Sequence, residues 1–225
     1  MIRKAVQLLS PYVPGEQPKE PGIVKLNTNE NPYPPSPKIG GALKNWRLDQ
    51  LRLYSDPVCS RLRDQIADLH GCGAEHVFVG NGSDEILALA ARAFVERDGT
   101  IGYFEPSYSL YPVLAAIEGI EKRPAVLREN FMWSIPEKYQ VSLFFLTNPN
   151  APTSMLFPKK EVADLCHALK GIVVIDEAYV DFAPYNCMDL ALSMPNVIVA
   201  RTLSKSYSLA GLRLGYAVGP TPLIS

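Results

Sequence analysis

The sequence predicts an α/β fold, a mostly parallel central sheet with helices on both faces. Three observations lead there. Short β-rich runs at 76–79, 100–104, 141–147, 172–175 and 197–201 are almost continuously apolar, as strands covered on both faces must be. Stretches with helical apolar spacing at 83–96, 108–118 and 158–169 alternate with them, the pattern of right-handed strand–helix–strand units. Polar and glycine-rich segments sit just behind the apolar runs, where open α/β sheets bind their ligands.

Taken in order, the chain opens with an arm in which proline is dense: Pro11, Pro14, Pro18, Pro21, Pro32, Pro34, Pro35 and Pro37. Proline removes a backbone donor and fixes φ, so this arm is expected to be extended and loop-like. From Pro57 onward Leu62, Ile66 and Leu69 recur at three- and four-residue spacing, and Gly71 and Gly73 supply the stop of a helix. Strands and helices then alternate to a last strand-like run at 214–218, closed by Gly219-Pro220. There is no internal repeat or low-complexity tract.

Composition bounds the function. Across 225 residues, 22 Lys+Arg balance 23 Asp+Glu, which excludes a basic nucleic-acid footprint. No apolar run approaches the roughly 20 residues that cross a membrane, and the start, Met1-Ile-Arg-Lys4 with a short apolar stretch to Leu9, is too brief and polar for a secretory signal. A cytoplasmic protein that avoids membranes is the expectation. Cys59, Cys72, Cys166 and Cys187 lack metal-ligand spacing and read as small buried apolar residues rather than a disulfide framework.

Three strand ends carry candidate chemistry. Behind the first run, Gly80-Asn-Gly-Ser-Asp84 combines a tight turn with a helix start whose free N–H groups suit a phosphate. The same residues also read as an ordinary helix start, with Ser83 as N-cap and Asp84 and Glu85 on the helix dipole. Glu85 stands where a dinucleotide fingerprint has its third glycine, and the Asn81-Gly-Ser83 sequon has no role in a cytoplasmic chain. Behind the fourth run, Asp176 ends a buried strand, a costly place for an acid unless it is paired or functional. Behind the fifth run come Thr202-Leu-Ser-Lys205 and then Arg213. A phosphate cradle, a buried acid and a lysine on neighbouring strand ends are what pyridoxal phosphate requires.

At this point the sequence resembles the fold type I pyridoxal-phosphate aminotransferases, and among them the histidinol-phosphate aminotransferases. The motifs that carry the resemblance are Pro11-Tyr-Val-Pro-Gly15, Leu26-Asn-Thr-Asn-Glu-Asn-Pro-Tyr33, Tyr54-Ser-Asp-Pro57, Asp176-Glu-Ala-Tyr179, Thr202-Leu-Ser-Lys205 and Leu209-Ala-Gly-Leu-Arg213, in family order along nearly the whole chain. The resemblance implies transamination of histidinol phosphate with 2-oxoglutarate in histidine biosynthesis. It implies that Lys205 tethers pyridoxal 5'-phosphate and shuttles the proton, that Asp176 holds the pyridine nitrogen protonated, and that Tyr179 donates to the ring oxygen O3'. Tyr108 would stack on the ring, although it also reads as packing at a helix start. Gly82, Ser83, Asp84, Thr202, Ser204 and Arg213 would hold the phosphate, Tyr33 would line the substrate pocket, and Tyr54 would reach the neighbouring site of a homodimer.

Two departures from the family pattern stand out. Where relatives read Asn-Asn-Pro-Thr-Gly, this chain has Asn150-Ala-Pro-Thr-Ser154, so the asparagine expected on O3' falls on Ala151. Either Asn150 moves in or Tyr179 serves O3' alone. Relatives also continue past the strand that follows the lysine, into a C-terminal segment holding the arginine for the substrate carboxylate. The expected division is therefore an extended arm with the start of a small-domain region at 1–45 and a cofactor-binding large domain at 46–225, truncated at its C-terminus and inactive alone. Same-fold decarboxylases of phosphorylated amino acids, aromatic aminotransferases and a non-catalytic remnant are the rival readings.

Overall fold

The computed structural model describes residues 2–7, 9, 16, 20, 22–135 and 138–225; the motif at 11–15 and the prolines at 18 and 21 lie outside them. Seven strands, β1 (Val77–Gly80), β2 (Thr100–Glu105), β3 (Glu121–Val126), β4 (Leu143–Thr147), β5 (Ile172–Asp176), β6 (Val197–Thr202) and β7 (Gly215–Val218), form one sheet in the order β1-β7-β6-β5-β4-β2-β3. Only β7 runs antiparallel to its neighbours, between β1 and β6. The carboxyl ends of β1, β4, β5 and β6 therefore share one edge of the sheet, together with the amino end of β7.

Among the described residues eight α-helices accompany the strands: α1 (Lys4–Gln7), α2 (Pro37–Lys44), α3 (Ser60–His70), α4 (Ser83–Phe94), α5 (Leu110–Glu118), α6 (Lys159–Ala168), α7 (Met188–Ser193) and α8 (Thr221–Ile224). Alternate strand residues feed two cores. On one face Val173, Ile175, Val197 and Val199 pack with Ile66 of α3, Val162 and Leu165 of α6 and Leu190 of α7. On the other, Val174, Ile198 and Ala200 pack with Ile86 and Leu87 of α4 and Tyr111 and Leu114 of α5. A two-sided sheet of this kind has no solvent face in its centre, which is why β4 is buried at every position.

Three elements depart from the sequence reading. The strand β3 was not expected: its Glu-Lys-Arg-Pro start is polar and exposed, as an edge strand tolerates, and Pro124 sits where no sheet neighbour lies beyond. Within the proline-rich arm, Pro37 starts the two-turn α2 at a position where its missing N–H costs nothing, and the Ser36 hydroxyl caps the Lys38 N–H. The cysteines are not uniformly buried: Cys166 and Cys187 are, Cys72 is half-buried, and Cys59 is exposed at the left-handed start of α3.

Behind the sheet edge, Glu177 and Arg201 form a buried ion pair at 2.8 Å, while the Glu177 carboxylate also accepts the Cys187 N–H. His70, at the end of α3, bonds the Tyr216 hydroxyl at 3.0 Å, and its pKa is lowered to about 4, first by burial and then by the nearby Arg201 charge. Because the unfolded chain protonates this histidine near its ordinary pKa of about 6.5, stability is lost as pH falls from there toward the folded value. His70→Gln, which cannot ionise, is expected to lose about 1–2 kcal/mol less than the parent between pH 7 and pH 5. Thermal unfolding at the two pH values measures this, and parallel losses in parent and variant would refute it.

Candidate active site

The glycine turn behind β1 leads directly into α4. Gly82, not Ser83, is the N-cap residue, with φ 81°, and no side chain caps the helix, so the helix-start reading of Ser83 is corrected to the first helical position. Glu85 turns back to accept the Asn81 N–H at 2.6 Å. Among the described hydrogen bonds none consumes the N–H groups of Ser83 or Asp84, which face outward at the positive end of the helix dipole. Arg213, held in the left-handed region at φ 54°, brings its guanidinium over Gly82 and to 3.8 Å from the Asp84 carboxylate.

Thr202 and Ser204 add two buried hydroxyls at the end of β6, linked to each other at 2.9 Å, with the Ser204 N–H donating to the Thr202 oxygen. Backbone N–H groups, two hydroxyls and an arginine thus converge from three segments. Groups of this kind could hold an anion such as a phosphate monoester.

Asp176 ends β5 and is 2% exposed. Its carboxylate accepts the Tyr111 hydroxyl at 3.0 Å and the Ala178 N–H at 3.1 Å. Among the described residues no cationic side chain pairs with it, and burial raises its carboxyl to about 6 despite those two donors. A buried acid with hydrogen bonds but no counter-charge suits a ligand that presents a ring N–H⁺ to it. This is the observation on which pyridoxal phosphate fits the residues present.

Tyr111 itself was not anticipated as a site residue. It is fully buried, stacks on Phe145 at 4.7 Å and binds both Thr147 and Asp176 through its hydroxyl. Its signal lay in the apolar 108–118 stretch, where a tyrosine is indistinguishable from core packing. Tyr108 stands edge-on to Tyr111, with ring centroids 5.7 Å apart, and its hydroxyl donates to Asp84 at 3.1 Å. It therefore spans the gap between the anion site and Asp176.

Lys205 follows β6 by three residues. Its ammonium donates to the carbonyls of Thr28 and Asn29 at 2.9 and 3.4 Å and lies 5.6 Å from the centre of the Tyr179 ring. The arm folds back to meet it: Asn31 donates to the Lys205 carbonyl at 3.0 Å, and Asn29 donates to the Tyr179 hydroxyl at 2.8 Å. A cavity of about 350 Å³ results, lined by Asn29, Glu30, Tyr33, Tyr179, Phe182 and Lys205. Tyr33, 76% exposed, forms its outer wall.

Asn150 is placed differently from the expectation that it moves onto a ring oxygen. It is buried, its amide donates to the Pro106 carbonyl at 3.0 Å and the Thr153 hydroxyl at 2.8 Å, and its oxygen accepts from Ser107 at 2.7 Å. With both amide hydrogens committed, this side chain fastens the loop behind β4. Tyr54 is fully exposed and touches no site residue of its own chain.

The assembled groups are a lysine, a buried acid and an anion cradle at one sheet edge. A family model for class I and II aminotransferases matches residues 21–225. The chain is 45% identical over 218 residues to the histidinol-phosphate aminotransferase of Clostridium botulinum (strain Okra / Type B1), covering 96% of this chain and 62% of that protein. It is 45% identical over 226 residues to the histidinol-phosphate aminotransferase of Syntrophotalea carbinolica, covering 100% of this chain and 65% of that one. Among solved structures, histidinol-phosphate aminotransferase from Sinorhizobium meliloti in complex with pyridoxal-5'-phosphate superposes with a TM-score of 0.79 at 25% identity, over 88% of this chain and 56% of that one. The chain thus spans somewhat under two thirds of the length of the relatives it matches, and over that span its sequence and fold agree: it belongs to the class I and II aminotransferase family.

Proposed function

We propose that the chain carries the cofactor-binding part of a pyridoxal-phosphate-dependent aminotransferase that exchanges the amino group of histidinol phosphate with 2-oxoglutarate, a step of histidine biosynthesis. The observation that carries this is the buried, cation-free Asp176 on the strand beside the one that leads to Lys205. The 45% identity to two histidinol-phosphate aminotransferases supports the substrate. Pyridoxal phosphate, when bound, supplies an aldehyde that condenses with amines and a ring that accepts the electrons of a broken Cα–H bond.

The chain's own residues then have distinct tasks. Lys205 would hold the cofactor aldehyde through its amine and would serve as the base and acid that moves the Cα proton. Asp176 keeps a proton on the ring nitrogen; its anionic form is needed, and it gains from a cationic neighbour what burial takes away. Gly82, Ser83, Asp84, Thr202, Ser204 and Arg213 fix the phosphate, so the reacting atoms are oriented before chemistry begins. Tyr108 would lie against the ring face, Tyr179 would donate to the ring oxygen, and Tyr33 would shape the substrate end.

We assign residues 1–45 to an N-terminal arm and the start of a small-domain region, of which 28–31 meet Lys205 and Tyr179, and 46–225 to a large domain truncated at its C-terminus. Trp46, Leu48, Leu51, Leu53 and Tyr54 present exposed apolar surface in one segment, which supports a homodimer in which Tyr54 reaches the neighbouring phosphate. No described helix is long and apolar enough to cross a membrane, in keeping with a cytoplasmic place for this biosynthetic step.

The test is chemical. After incubation with pyridoxal phosphate and reduction with borohydride, peptide mapping is expected to find the pyridoxyl group on Lys205. A label on Lys159 or Lys170 would overturn the assignment.

A further inference from the structure

Asn29 comes from the arm, 150 residues from Tyr179 in sequence, yet its amide nitrogen donates to the Tyr179 hydroxyl at 2.8 Å. A phenol has one hydrogen to give and two lone pairs to receive with. By filling a lone pair, Asn29 orients the ring oxygen of Tyr179 and leaves its hydrogen free for a third atom. The backbone is shaped for this contact: Thr28 and Asn29 are both left-handed, at φ 62° and 50°, an uncommon pair without glycine and most unfavourable at a β-branched threonine. That turn also aims the two carbonyls at the Lys205 ammonium.

A second observation comes from the opposite wall. A cavity of about 520 Å³ adjoins the first and is lined by Ala151, Asn150, Phe182, Asn29 and Tyr179. Asn29 and Tyr179 line both cavities, so they stand at the junction. Ala151 offers no polar atom there, and the Asn150 amide is spent on Pro106 and Thr153. The amide nearest to Tyr179 is that of the arm.

We propose that Asn29 is a positioning residue for the reaction: it holds Tyr179 as a hydrogen-bond donor to the cofactor's ring oxygen, doing from the arm, through Tyr179, what an amide at position 151 would do directly. This rests on the reading of Lys205 and Tyr179 as cofactor residues. The charged groups that face the pair are Lys205, above the Tyr179 ring, and Glu30, on the cavity wall and paired with Lys25.

The experiment follows the absorption of the bound cofactor against pH in the intact, pyridoxal-phosphate-loaded protein, comparing parent, Asn29→Ala, Asn29→Asp, Tyr179→Phe and the Asn29→Ala/Tyr179→Phe double variant. A donor to the ring oxygen stabilises the unprotonated chromophore, so Tyr179→Phe is expected to raise the midpoint by roughly one pH unit. Asn29→Asp, isosteric but able only to accept, takes the phenol hydrogen and is expected to raise it as far. Asn29→Ala should raise it part of the way, with no added effect in the double variant. Cofactor content should stay at the parent level throughout, because the phosphate contacts lie elsewhere. Parent midpoints in both fully loaded Asn29 variants, or an Asn29→Ala shift that adds in full to that of Tyr179→Phe, would overturn the proposal while leaving the cofactor reading intact. A parent protein that takes up no pyridoxal phosphate would overturn that reading and this proposal with it.

Discussion

Asp176→Asn is expected to lower turnover of histidinol phosphate in the intact protein by roughly 10²–10³-fold, the scale on which removal of one preorganised electrostatic partner acts. Asparagine has the same shape: its oxygen can keep accepting the Ala178 N–H, and its NH2, in place of the oxygen that accepts from Tyr111, can donate to that hydroxyl, so the site should remain assembled. What disappears is the negative charge that makes a protonated ring nitrogen favourable in a site closed to water. Cofactor affinity should fall far less, because the N–H groups of α4, the Thr202 and Ser204 hydroxyls and Arg213 are untouched. Arg213→Ala is the mirror case: affinity for pyridoxal phosphate falls first, while turnover at saturating cofactor is better preserved. Steady-state kinetics beside cofactor titrations separate the two. Interchangeable defects in the pair would show that the acid and the arginine do not have separate tasks. Stability should move the other way for Asp176. Its carboxyl is raised by burial from 3.8 to about 6, so the folded protein without ligand loses stability as pH rises from the unfolded value to the folded one and carries the full penalty above about 6, a cost the asparagine variant escapes.

The sheet was legible because burial on both faces leaves no alternation to obscure it: 172–175 and 197–200 are unbroken apolar runs, and β5 extends one residue and β6 two residues beyond them. The exposed edge strand β3 was not, since an edge with water on one side permits Glu121, Lys122, Arg123 and Pro124, residues that propensity assigns to loops. The site divides along the same physical line. Asp176 ends an apolar run, a placement that is costly unless used, whereas Lys205 reads alone as a solvated lysine and gains meaning only beside that acid and the glycine turn. Tyr111 and Thr147 do not announce themselves, because a tyrosine in a helix and a threonine in a strand each have an ordinary packing explanation, and only the fold joins their hydroxyls and puts that of Tyr111 on the Asp176 carboxylate. Asn29 was visible as part of a motif, but its contact with Tyr179 depends on how an irregular arm returns to the sheet edge. Hydrophobic period carries no information about such a segment.

Gly215→Ala should damage the phosphate turn by the addition of a single methyl group. Gly215 opens β7, paired with Gly80 on one side and Thr202 on the other, so the strand enters the sheet between the phosphate turn and the end of β6. A Cβ there would lie 2.5 Å from the Gly82 carbonyl carbon, 2.5 Å from the Ser83 nitrogen and 2.9 Å from the Gly82 oxygen. These are backbone atoms, so no side-chain rotation relieves the contact, and either β7 or the turn must move. Moving the turn tilts the first N–H groups of α4 away from the anion site; moving β7 carries off Arg213, two residues upstream. Each route costs charge-assisted hydrogen bonds worth about 1.5–3 kcal/mol apiece, so affinity for pyridoxal phosphate should fall by at least about 10²-fold. Overpacking should also cost about 1–3 kcal/mol of stability. Gly211→Ala is the matched control, since nothing lies within 4 Å of its Cβ position, and it should bind and unfold like the parent. Cofactor titration and thermal unfolding of the two variants make the comparison. Parental affinity in Gly215→Ala would mean that the turn has room the geometry denies it, and that the close approach of Gly215 to Gly82 and Ser83 plays no part in forming the phosphate site.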